Sequence, residues 1–145
     1  MSAFRMLLAA LALALPVWAG LDAVKAERNL EKRAGMALAN GGAALNSARD
    51  SYAAGDLQRT TAALDEVQQS VQLAYSSLLA THKNPRSRPT HFKRAEIRTR
   101  ELLRRLDDFR EQMSYEDRSV LDEVRAAVQK VRDDLLRGLL GEKKK

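Results

Sequence analysis

The sequence predicts an all-α fold, an antiparallel bundle of about four helices built from two helical hairpins. Three observations carry this. Ala, Leu, Arg, Glu, Gln and Lys are plentiful while Ile occurs once and aromatic residues make up 5%, a balance that suits helices rather than a β-sandwich. Apolar residues recur at steps of three and four over residues 57–78, 92–113 and 121–135, which places each set on one helical stripe. Two breakers, Gly55-Asp56 and the proline-containing stretch 82–89, divide the chain into segments of hairpin length. A chain of 145 residues suits one domain with a modest core, expected over residues 20–145. The absence of cysteine excludes disulfides, thiolate nucleophiles and cysteine-ligated metals, so stability must come from packing.

The first segment reads as a leader. Arg5 precedes the apolar run Met6–Leu15, Pro16 follows, and Val17-Trp18-Ala19 puts small side chains at the two positions a signal peptidase inspects. Met6 to Gly20 is 15 residues, short of the roughly 20 needed to span a bilayer core. Residues 1–19 are therefore expected to be a cleaved signal peptide, in preference to an uncleaved anchor or a buried N-terminal helix. The chain is then expected in the periplasm or outside the cell.

Residues 20–37 are good helix formers, but Leu21, Val24 and Leu30 are too sparse for a wide buried face, so a peripheral or frayed helix is expected. Gly41-Gly42 interrupts or weakens the helix, because each glycine costs about 1 kcal/mol relative to alanine. A first hairpin is predicted over 38–81. Its first helix carries Leu38, Leu45, Ala48 and Tyr52, and Gly55 suits a left-handed cap while Asp56 caps the next helix. That next helix bears Leu57, Leu64, Val67, Val71, Ala74, Tyr75 and Leu78 on one stripe and ends near Thr81.

Ala48, Tyr52, Gly55-Asp56-Leu57, Thr60 and Leu64 together resemble one tetratricopeptide-type (TPR-like) repeat, with its small residue and aromatic on the first helix and Gly-Asp at the turn. The resemblance, over residues 45–67, implies a helical hairpin. It departs from the family pattern because the second helix runs on to about residue 80 and no second copy aligns, so it does not carry over the peptide groove of stacked repeats.

His82 to Pro89 contains two prolines and, apart from them, no apolar side chain, and is expected to be an exposed connection. A second hairpin is predicted over 90–141. Phe92, Ala95, Thr99, Leu102, Leu106, Phe109 and Met113 form a heptad-like seam. Ser114 with Asp117 resembles a capping box, its hydroxyl serving free backbone N–H groups. Leu121, Val124, Val128, Val131 and Leu135 line the last helix, which Gly138 and Gly141 are expected to end.

The net charge of +6 is unevenly spread. Residues 83–105 carry nine Lys and Arg against two Glu, whereas residues 106–142 carry six against ten acidic residues. Glu96 with Arg100, Glu101 with Arg105, and Arg104 with Asp108 stand four apart, the spacing of ordinary helical ion pairs. Lys83, Arg86, Arg88, Lys93, Arg94 and Arg98 are left less obviously matched, and these six are the candidate binding residues, since guanidinium and ammonium groups grip phosphates and carboxylates.

His82 and His91 are the only histidines, and no helix presents the Glu-x-x-His or His-x-x-x-His spacing of a metal-binding bundle. Asp107-Asp108, Asp122-Glu123 and Asp133-Asp134 fall on adjacent helical positions rather than across a cleft. No catalytic residue, metal site or cofactor is therefore predicted. The expected function is that of a non-enzymatic protein-interaction or structural module of the bacterial cell envelope, with another envelope protein as partner. The alternative is an electrostatic binder of anionic lipid or polysaccharide through residues 83–105. Export and the scarcity of stacking aromatics argue against nucleic acid. Ile97, Leu103, Leu136, Leu139 and Leu140 lie off the main stripes and either widen the core or form a homodimer patch.

Overall fold

The computed structural model describes residues 20–142, so the expected leader lies outside the described residues. Five α-helices follow in order: α1 (Leu21–Ala26), α2 (Leu30–Ala53), α3 (Leu57–Leu79), α4 (Thr90–Gln112) and α5 (Arg118–Leu140). A short 3-10 turn, Tyr115–Asp117, sits between α4 and α5. The four long helices form an all-α bundle, and α1 packs on α2.

The segment 20–37 is not one peripheral helix. After Ala26 the chain turns, and Asn29 starts a new helix by accepting the Lys32 N–H at 3.0 Å. From there α2 runs without a break through Gly41-Gly42 to Ala53, so no boundary falls at residue 38. Its buried face is made of alanines as much as leucines: Ala34, Ala37, Ala44 and Ala48 are buried beside Leu38 and Leu45. Small side chains let α3 approach closely, and a Cβ placed on Gly41 would stand 3.4 Å from Ser70 Cβ. Close packing on α3 offsets the cost of Gly41, while Gly42 faces Arg105 of α4, which donates to its carbonyl. Within this interface Asn40 Nδ2 donates to Ser70 Oγ at 2.9 Å and Arg33 Nε to Ser77 Oγ at 2.8 Å, which fixes the register of the pair.

The α2–α3 turn forms as its residues predict. Gly55 has φ of 77°, and the Asp56 N–H donates to the Ser51 carbonyl at 2.9 Å. The Asp56 side chain in turn accepts the Arg59 N–H at 3.0 Å.

The second hairpin turns differently from expectation. The Ser114 hydroxyl does not cap a helix; it donates to Asp117 Oδ2 at 2.8 Å. The Ser114 N–H and Asp117 are instead bound by the Tyr52 hydroxyl, which accepts the first at 2.8 Å and donates to the second at 3.0 Å. At the far end α5 continues through Gly138 to Leu140, and only Gly141, at φ of 71°, ends it.

Neighbours within each hairpin run antiparallel. Between hairpins like helices lie side by side: α2 beside α4 and α3 beside α5. Contacts from one end of α2 to the other establish its direction. Glu31 meets Lys83 and His91, Asn46 meets Arg105, Arg49 meets Gln112, and Tyr52 meets Ser114. The second hairpin is thus stacked on the first in the same sense. One continuous apolar core joins both, with Leu45, Leu64, Leu78, Leu106, Phe109, Leu121 and Leu135 among its fully buried members. Leu103 belongs to this core, Leu136 and Leu139 are half-buried, and Ile97 and Leu140 stay exposed.

Candidate functional site

The connection 80–89 is partly packed down. Pro85 lies over Gly138, where an added Cβ would come within 3.2 Å of its Cγ, and the Arg86 side chain lies over Gly141 with its Cδ and the inner edge of its guanidinium group. Asn84 organises the turn: its Oδ1 accepts the Arg86 N–H at 2.9 Å and its carbonyl accepts the Arg88 N–H at 2.9 Å. This explains why Lys83, Pro85 and Pro89 are half-buried while Arg86 and Arg88 project outward.

Helical periodicity sets the rest. With Phe92, Ala95, Thr99, Leu102 and Leu106 turned to the core, Lys93, Arg94, Ile97, Arg98 and Arg104 fall on the outward side of α4. Among the described residues Arg86, Arg88, Lys93, Arg94, Arg98 and Arg104 make no ion pair. All six are exposed, as is Ile97, which retains 52% of its accessible surface.

Five of the six sequence candidates therefore belong to this face, and Lys83 does not. Its ammonium pairs with Glu31 of α2, and His91 Nε2 stands 2.8 Å from the other oxygen of that carboxylate. The Lys83 hydrogen bond, aided by the nearby His91 and Arg88 charges, holds the Glu31 carboxyl below the usual range. A partner 52 residues away along the chain leaves no trace in local spacing.

Arg104 is the residue that sequence reasoning assigned elsewhere. The expected Arg104–Asp108 and Glu101–Arg105 pairs do not form. Arg105 instead reaches α2, donating to Asn46 Oδ1 at 2.5 Å and to the Gly42 carbonyl at 3.3 Å. The Glu96–Arg100 pair does form, at 3.7 Å, but Glu96 is buried and its closer partner is Arg132 of α5 at 3.2 Å.

The opposite half of α4 is acidic. There a surface depression is lined by Asp107, Asp108, Arg110, Glu111, Asp122 and Arg125. Arg110 binds Asp122 at 2.6 Å and Arg125 binds Asp107 at 2.5 Å, closing α4 onto α5. The Arg110 hydrogen bond pulls the Asp122 carboxyl down, and the carboxylate partners raise both guanidinium groups. Carboxylates so neutralised are poor general bases, and structural ion pairing accounts for this arrangement.

Among the described residues no group of three or more His, Cys, Asp and Glu side chains could hold a metal ion. No described helix is long and apolar enough to cross a membrane. Comparison with protein-family models, with characterised proteins and with solved structures found no match to this chain.

Proposed function

We propose that this chain is an exported, non-enzymatic helical interaction module of the bacterial cell envelope, working through the basic face formed by the connection and the first half of α4. The observation that carries this reading is the set of six exposed cations, Arg86, Arg88, Lys93, Arg94, Arg98 and Arg104, without counter-ions among the described residues. Several cations elsewhere are paired within the fold, Lys83 with Glu31, Arg132 with Glu96, Arg110 with Asp122 and Arg125 with Asp107, and the face differs from Lys25 and Arg28, also unpaired among the described residues, in gathering six cations together. The cations outnumber the exposed carboxylates Glu101 and Asp108 on that side of α4, and such an excess favours an acidic partner and speeds its capture. The hairpin's TPR-like features fit the same reading, since stacked helix pairs commonly serve as binding scaffolds.

The test is capture from the organism's own envelope extract by immobilised residues 20–145, at low and high salt. The variant with Arg86, Arg88, Arg94 and Arg98 changed to Ala is run beside it. The unsubstituted chain should retain material at low salt that the variant does not. Identical capture by both would reject the basic face, and a catalytic turnover abolished by a single polar substitution would reject the non-enzymatic reading.

A further inference from the structure

Resting on that reading, we infer that the acidic partner of the basic face is the surface of an anionic phospholipid bilayer. Three features favour a lipid surface over a discrete anion or an acidic protein.

The first is shape. The cations stand on the outward side of one helix and on a turn, a convex ridge. The cleft that Arg98 helps to line, between α2 and α4, measures about 70 Å³, far below the roughly 300 Å³ at which small-molecule sites begin. A ridge matches a plane of charge that can deform around it.

The second is Ile97. It lies one turn from Lys93, Arg94, Arg100 and Glu101, near the centre of the outward face, and is the only Ile in the chain. A bare apolar side chain flanked by three cations and one carboxylate suits an interface in which headgroups meet the charges and the acyl boundary takes the apolar group. A soluble polyanion offers Ile97 nothing.

The third is the scatter of the other exposed apolar residues. Leu57 and Tyr115 lie at one end of the bundle and Leu79 and Leu140 at the other, so no contiguous patch of the kind a protein interface core requires is formed. Leu79 and Leu140 end α3 and α5 at the same end as the connection.

The experiment uses residues 20–145, which contain every described element of the fold, because the Met6–Leu15 run would itself enter a bilayer. Binding is measured by co-sedimentation with vesicles of phosphatidylcholine alone or with about one third phosphatidylglycerol. Retention on the mixed vesicles only is expected, falling by about fivefold for each cation removed. The four-Ala variant should therefore lose at least about a hundredfold. Among the described residues these arginines make no ion pair, so the variant's helical circular dichroism should be unchanged.

Ile97→Trp supplies the distinguishing readout. The single tryptophan of the sequence is Trp18, so this variant of residues 20–145 carries one tryptophan at the centre of the face. Its emission should move to shorter wavelength on mixed vesicles and stay put on a soluble polyanion such as polyglutamate. No binding to mixed vesicles, or binding with no emission shift, overturns the bilayer inference. If extract capture still depends on the four arginines, the basic-face reading survives that failure. If it does not, both fall together.

Discussion

Tyr52 shows how much one side chain can fasten. Its hydroxyl joins the Ser114 N–H to the Asp117 carboxylate, and its ring meets Phe109 edge-on with centroids 5.7 Å apart. The end of α2 is thereby tied to the turn between α4 and α5. Tyr52→Phe keeps the ring contact and removes the hydroxyl, and should lower unfolding free energy by about 1 kcal/mol in urea titration. Asp122 belongs to the same scale. Its folded pKa is depressed below the ordinary value of 3.8 by Arg110, so its contribution is fully present above that value and is lost as pH falls through the folded one. Asp122→Asn should therefore be less stable than the parent at neutral pH, and the gap should close in strong acid. A pH series of urea midpoints checks this, and a gap that widens on acidification would reverse the assignment.

The helices differ in how openly the sequence displays them. Valine and leucine stripes on α3 and α5 announce themselves by spacing, and so does the Gly55-Asp56 turn. The N-terminal half of α2 does not, because alanine buries little area and scores as neither core nor surface, although Ala34 and Ala37 are buried here. Gly41-Gly42 misleads for a related reason: propensity is a local quantity, and the gain from the approach of α3 to Gly41 and of Arg105 to Gly42 is not. The candidate face was legible as a charge excess over residues 83–105. Which cations stay free was not, since Glu31 neutralises Lys83 from another helix and Arg105 turns to Asn46 rather than Glu101. Glycines within helices give a test at this scale. Gly35→Ala meets nothing within 4 Å and should stabilise by about 0.5–1 kcal/mol through helix propensity. Gly138→Ala would crowd Pro85 at 3.2 Å and should forfeit that gain. Urea midpoints of the two variants moving equally would show that the connection does not rest on α5.

Because one core runs through both hairpins, the molecule should unfold as a unit. Amide exchange in α3 and α5 is expected to lose protection at the same urea concentration, whereas separate transitions would mean that the hairpins are independent. The relation between the hairpins has a further consequence. Carrying α2 onto α4 and α3 onto α5 is a displacement, not a rotation about a two-fold axis, and repeated displacements generate an open row. A row needs a terminator at each end. On the first hairpin that terminator is α1, which lies on α2 with its first turn beside Glu66 and Gln69 of α3, covering flank where a further helix pair would seat. On the second, the exposed side of α4 carries Lys93, Arg94, Arg98 and Arg104. Six residues of helix and a charged ridge thus occupy the outer flanks of the two stacked hairpins.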